Sequence, residues 1–196
     1  MKAELDKNYW DNRYKEGQTG WDLGEVSPAL KAYIDQIEKK DLKILIPGGG
    51  NAYELAYLHQ KGFHNSYLID LSPTALSNFK KNNPSIPDKF LIEGNYFDHI
   101  GEYDLIIEQT FFCAIDRTLR EKYAEKTNDL LVSGGKLIGL LWSEDFGDDS
   151  PPFGGTKKEY LSYFTPYFKI QVLENSRNSI KPRAGRELFM ILQKLT

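Results

Sequence analysis

One cysteine and three histidines are the only thiol and imidazole groups in this chain of 196 residues. Cys113 alone cannot close an internal bridge or build a multi-cysteine metal site, and a lone thiol fits a reducing, cytoplasmic setting. His59, His64 and His99 have no ligand spacing, so no metal is expected. A basic excess is missing as well. With 25 Lys+Arg against 28 Asp+Glu the net charge is -3, which leaves no electrostatic footprint for nucleic acid or an anionic membrane. No stretch approaches the roughly 18 apolar residues of a membrane span, and the start M-K-A-E-L-D-K-N-Y-W has no apolar signal core. A small-molecule substrate remains, handled by one domain, 1–196, with monomer as the default at this size.

What is present centres on Lys43 to Asp70. Ile44 to Ile46 is a short β-branched run that ends in P-G-G-G, a buried strand entering a tight turn. Gly48, Gly49 and Gly50 allow positive φ and a ligand approach that a Cβ would prevent. A helical pattern from Asn51 through Leu55, Ala56 and Leu58 directs its free N–H groups back at that turn. Tyr67 to Ile69 forms a second strand with Asp70 at its carboxyl end, where an acid about 20 residues past the glycines takes the hydroxyls of a ribose. Such a turn serves a dinucleotide or an adenosyl ligand. Tyr53 occupies the place of the third glycine in G-x-G-x-x-G, where a pyrophosphate needs close approach, and so points to an adenosyl ligand without phosphate.

The remaining segments alternate. Trp10 and Tyr14 stand at i, i+4 on a helix ended by Gly17, and Trp21 follows in a loop. These rings either pack an N-terminal helix or form a lid, 1–40, over an adenine or a sulfonium. Ser27-Pro28 and Ser72-Pro73 start two further helices. Lys89 to Ile92 is a third strand, followed by a turn that is either an ordinary Gly-Asn turn or the place where Asn95 offers a donor and an acceptor to an adenine edge and the next backbone N–H, that of Tyr96, completes the contact. Tyr103 to Ile107 is a central strand whose end, E-Q-T-F-F-C-A-I, suits a pocket floor. A helix over 117–131, capped by Ser133-Gly134-Gly135, leads to a strand over 136–142. An aperiodic acidic loop, a short helix from Thr156 and two strands joined without a helix complete the chain. The expected fold is α/β: a right-handed, mostly parallel sheet closed by a hairpin.

The pieces W-x3-Y-x6-W-D, P-G-G-G, L-I-D-x-S-P-x-A-L, D-L-I-x-E-Q-T-F-F-C-A-I, L-x-S-G-G-K-L, P-P-F and P-R-x-G-R-E occur in order over nearly the whole chain. Together they resemble the thiopurine methyltransferase family, closest to its halide and thiol methyltransferase branch. The resemblance implies a class I, Rossmann-like methyltransferase with seven strands in the order 3-2-1-4-5-7-6 and helices on both faces. It also implies methyl transfer from S-adenosylmethionine, SAM, to a thiol, hydrosulfide, halide or thiocyanate by direct in-line displacement, leaving S-adenosylhomocysteine. No general base is expected, in keeping with the absence of a Ser/His/Asp or Cys/His constellation.

Carried over residue by residue, Trp10, Tyr14 and Trp21 close over SAM, Gly48 to Gly50 lie beneath its methionine part and Asp70 binds its ribose. Asn95 and Tyr96 fall at the adenine, and Gln109 lies near the sulfonium. Phe112, Trp142 and Arg183 are candidates for the acceptor pocket. Tyr14, Asn95 and Gln109 depart from residues common in relatives. Those departures keep open a SAM-binding sensor without catalysis, and a nicotinamide-dependent oxidoreductase is the other alternative.

Overall fold

The structure, a computed structural model, describes residues 4–196, so only the first three residues of the expected lid segment lie outside it. Seven strands form one sheet: β1 (Ile44–Pro47), β2 (Ser66–Asp70), β3 (Leu91–Glu93), β4 (Tyr103–Gln109), β5 (Leu131–Trp142), β6 (Phe168–Asn175) and β7 (Glu187–Lys194). Their order is β3-β2-β1-β4-β5-β7-β6. The first five pair in parallel, whereas β7 runs antiparallel to both β5 and β6. The order and the closing hairpin are those expected from the sequence.

Strand alternation divides the core in two. On β1, Ile44 and Ile46 face one side and Leu45 the other; on β4, Leu105 and Ile107 oppose Ile106. One side is covered by α2 (Pro28–Ile34), α3 (Tyr53–Gln60) and α4 (Pro73–Asn82) through Leu30, Ile34, Leu55, Leu58 and Phe79. The other is covered by α5 (Arg120–Leu130) and α6 (Lys157–Phe164) through Tyr123, Ala124, Tyr160 and Phe164. Each such fully buried side chain contributes about 1.5–3 kcal/mol relative to exposure. Because α2 is part of this core, only α1 (Lys7–Lys15) and the loop after it are left to stand over the strand ends.

Several boundaries differ from expectation. Helix α3 begins at Tyr53 rather than Asn51, because Ala52 holds a left-handed φ of 47° that ends the glycine turn. A 3-10 turn over Asp88–Phe90 delays β3 to Leu91. Ser133-Gly134-Gly135 does not cap α5; the segment belongs to β5, which starts directly at Leu131, with Gly134 at φ 73°. Ser27 occupies the N-cap position of α2 without a side-chain cap bond. Among the described residues, no helix is long and apolar enough to cross a membrane, and no group of three or more His, Cys, Asp or Glu side chains could hold a metal ion.

Candidate active site

The parallel strands β1, β2 and β4 end on the same edge of the sheet, and the candidate residues gather there. Past Pro47 the Gly48 N–H still donates to the Ile69 carbonyl at 2.7 Å, after which the chain turns away. Gly48 and Gly50 each hold φ 55°, a left-handed conformation that glycine adopts without strain. Both are also crowded. A Cβ on Gly48 would lie 2.2 Å from Phe111 Cδ2, and one on Gly50 would lie 2.5 Å from the Tyr14 hydroxyl. The turn is therefore bare backbone enclosed by rings. Tyr53, at the third-glycine position, lines the cleft and donates its hydroxyl to Asp22 at 3.3 Å.

Asp70 ends β2 with its carboxylate aimed across the turn. Oδ2 accepts from Gly50 N at 3.2 Å and Oδ1 from Ser72 N at 2.8 Å. Burial pushes this carboxyl up to about 6; the Ser72, Gly50 and Leu71 N–H groups oppose that rise and nearby Asp11 adds to it. Both oxygens are oriented by backbone donors, an arrangement that suits an acceptor of hydroxyl groups.

Over the turn stand the three predicted rings. Trp21 meets Trp10 edge-on at 5.7 Å between centroids and Tyr14 at 5.8 Å. Burial first, and then the charge of Asp70, push the Tyr14 hydroxyl well above its usual range, so it remains a donor. The loop that carries Trp21 is held from two sides. Asn51 Nδ2 donates to Asp22 at 2.6 Å, and Arg183 Nη2 donates to the Trp21 carbonyl at 2.8 Å.

At the end of β4, alternation sends neighbouring polar residues in opposite directions. Glu108 turns into the α5 side, where Oε1 accepts from Phe111 N at 2.8 Å and Phe112 N at 2.9 Å, and Oε2 accepts from the Tyr123 hydroxyl at 3.2 Å. It fastens the turn from behind and is not part of a pocket floor. Burial pushes its carboxyl up to about 7 against those three donors. Gln109 turns toward α3 and lines the cleft with Trp21, Gly48, Glu54 and Thr110. It is 9% exposed, and neither Oε1 nor Nε2 has a partner within the protein. The next residue, Thr110, holds a strained φ of 63°.

Other expectations need correction. Phe112 is buried against Tyr123, Tyr160 and Phe164 and does not reach the cleft; its neighbour Phe111 is the ring beside Gly48. The Tyr96 ring also lies in the core, stacked on Tyr123 at 5.5 Å with its hydroxyl 2.7 Å from Thr127, so only its backbone is left for a ligand. Asn95 is exposed at the predicted turn, but its side-chain oxygen accepts from Phe97 N at 3.0 Å. Trp142 and Arg183 do come together, the guanidinium 5.0 Å from the ring centroid. Arg183 is already engaged, with Glu187 at 3.2 Å and the Trp21 carbonyl, which makes it a tie between the lid loop and the sheet. Burial pushes the Cys113 thiol up to about 12, and its sulfur donates to the Thr110 carbonyl, so it is packed and inert.

Asp11 belongs to this assembly and was not singled out in the sequence; Ser72 was read only as a helix cap, and Glu108 and Phe111 only as parts of a pocket floor. Asp11 had one signal, an acid set between two aromatic rungs of α1 with Lys15 at i+4. The glycine cradle, the oriented carboxylate and the unpartnered amide fit a nucleoside ligand that carries no pyrophosphate.

Comparison with known proteins agrees with that geometry. Residues 5–192 match the family described as thiopurine S-methyltransferase. A probable thiol methyltransferase 2 of Arabidopsis thaliana is 28% identical over 194 residues, covering 95% of this chain and 85% of that protein. Thiocyanate methyltransferase 1 of Brassica oleracea is 25% identical over 200 residues, with the same shares of each chain. In fold, the chain superposes with TM-score 0.78 and 16% identity on a Burkholderia thailandensis 1,6-didemethyltoxoflavin-N1-methyltransferase solved with S-adenosylhomocysteine, covering 97% of this chain and 87% of that one.

Proposed function

The chain belongs to the thiopurine S-methyltransferase family of SAM-dependent methyltransferases, and from that premise we propose that its acceptor is a small soft nucleophile, a thiol or a thiocyanate-like anion, methylated by direct displacement. The reading rests on one observation above others: Gln109, an amide without a partner in the protein, lines the cleft, whereas of the carboxylates on the same lining Asp22 accepts from Asn51 and Tyr53, Glu54 accepts from Ser27 N and Glu25 is exposed. The relatives named for thiol and thiocyanate methylation support it.

Bound SAM supplies a methyl carbon activated by a sulfonium. The protein supplies position. Asp70 holds the ribose, the bare backbone of Gly48 to Gly50 admits the methionine part, and Trp10, Tyr14 and Trp21 cover the whole and exclude water. An anionic sulfur already carries the electron pair it needs, so no residue has to remove a proton in the transfer. Catalysis then comes from proximity and alignment, which are worth several kcal/mol when the reacting atoms are held near contact.

Incubation with SAM and a panel of hydrosulfide, thiocyanate, iodide and an aromatic thiol tests the reading. S-adenosylhomocysteine and a methylated product are expected with at least one sulfur acceptor. Tight SAM binding with no product from any of them would overturn it in favour of the sensor.

A further inference from the structure

Asp11 lies mid-way along α1 between the rungs that carry Trp10 and Tyr14. It is charged, yet it is 6% exposed. Oδ1 accepts from the Ser72 hydroxyl at 2.7 Å and from Thr74 N at 2.9 Å, and Oδ2 pairs with Lys15 at 2.6 Å. Ser72 and Thr74 come from 61 and 63 residues away and lie at the first turn of α4, where the helix dipole favours a negative charge. Ser72 is shared. Its backbone N–H goes to Asp70 Oδ1 at 2.8 Å, its hydroxyl proton goes to Asp11, and its hydroxyl oxygen accepts from Ala75 N at 3.0 Å as the cap of α4.

We infer that Asp11 is a positioning residue of the cofactor site, joining the aromatic lid helix and the ribose carboxylate Asp70 into one hydrogen-bonded unit through Ser72. The inference rests on the ribose role given to Asp70. A lid residue that only packed would need no buried charge, and removing the partners of such a charge is costly. Here the charge is satisfied by three donors, two of them from the element that orients Asp70. Setting the lid also sets the acid beneath it.

A merely structural anchor and this unit differ in pH behaviour. The groups facing Asp70 are Asp11 and the Tyr14 hydroxyl from α1 and the N–H groups of Gly50, Leu71 and Ser72, with Asp22 adding to the field on Tyr14. Burial raises the proton affinity of Asp70 most, and the negative charge of Asp11 adds to it. Removing that charge while keeping an acceptor oxygen, as Asp11→Asn does, lets Asp70 stay ionised to lower pH.

The full chain is titrated with S-adenosylhomocysteine by calorimetry between about pH 5 and 8, and hydrogen exchange is followed over residues 7–25. Asp11→Ala is expected to lose about tenfold or more in affinity and to lose protection in that segment, while β1 and β4 stay protected. Asp11→Asn is expected to keep most of the affinity at pH 8 and to shift the midpoint of its loss to lower pH. Unchanged protection in Asp11→Ala, or an unmoved midpoint in Asp11→Asn, overturns the inference. Asp70→Ala is the control: if it binds as the parent does, the ribose assignment fails, and the exchange data still decide whether Asp11 anchors the lid.

Discussion

The hydroxyl of Tyr14 lies where a Gly50 side chain would begin, 2.5 Å from the position of a Cβ. The lid and the glycine turn are thus fitted to each other, and Gly50 also holds φ 55°. Gly50→Ala meets two penalties, about 1–2 kcal/mol for a left-handed alanine and the displacement of Tyr14. S-adenosylhomocysteine affinity is expected to fall about tenfold or more. Adding Tyr14→Phe removes the clashing oxygen, so the double variant is expected to bind better than Gly50→Ala alone. A calorimetric double-mutant cycle measures this coupling, and strictly additive losses would show that the two sites are independent.

Glu108 makes stability depend on pH. Its folded-state carboxyl, pushed up to about 7 from the usual 4.5, keeps a proton that the unfolded chain loses earlier. The Glu108 contribution to stability is therefore fully present below about pH 4.5 and is lost as pH rises through about 7. Asp70, pushed up to about 6, acts with the same sign over a lower window in the cofactor-free protein. Glu108→Gln can still accept from Phe111 N and Phe112 N and can donate to the Tyr123 hydroxyl once that group turns round. It is expected to be the more stable protein at pH 8 by about 1–3 kcal/mol, and to show a flatter dependence of Tm on pH. Thermal melts at pH 5 and pH 8 check both statements. Glu108→Ala strands two buried N–H groups and is expected to destabilise at every pH.

How much of this could be read in advance follows from what each signal encodes. The P-G-G-G turn, Asp70 and the rings at Trp10, Tyr14 and Trp21 were legible because glycine, an acid at a strand end and i, i+4 spacing report local backbone and local faces. A mostly parallel sheet closed by a hairpin followed from alternating elements and from a last connection without a helix, whereas the strand order came with the family resemblance. Phe111 and Phe112 were not separable, because their turn follows the left-handed Thr110, which resets the alternation carried by β4. Glu108 looked like a pocket acid and is a core acceptor, since its donors, a turn and Tyr123, are fixed only when α5 docks. Asp11 went unnoticed for the same reason: its partners are 61 and 63 residues away.

Arg183 ties the lid loop to the sheet, so its removal is not confined to an acceptor pocket. Arg183→Ala leaves Glu187, 4% exposed, without its cation. A stranded buried charge costs about 3–5 kcal/mol, and the Trp21 carbonyl loses its donor as well. Urea unfolding is expected to show a loss of that order, partly restored by adding Glu187→Gln. S-adenosylhomocysteine binding is expected to weaken too, because the Trp21 loop is freed. An effect confined to the KM of the acceptor, with stability and cofactor affinity intact, would instead make Arg183 a direct acceptor ligand.

Gln109 combines a cost with a use. Both polar ends of its side chain are buried without a partner in the protein, a condition that costs about 1–3 kcal/mol for a buried unpaired group. Buried polar groups in folded proteins are seldom left unpaired, and under the proposed function a ligand in the cleft that Gln109 lines would meet them. Gln109→Met keeps length and removes both polar atoms. Without ligand it is expected to be more stable than the parent by about 1 kcal/mol, and kcat/KM for sulfur acceptors is expected to fall at least tenfold, a gain of stability with a loss of function. Melting curves and steady-state kinetics on the same preparation test the pair of effects together. A lower Tm would mean that Gln109 has a structural partner in the folded protein, and unchanged kcat/KM would remove it from the acceptor side of the cleft. Only the combination of a tighter fold and a poorer enzyme supports the amide as the group that meets the acceptor.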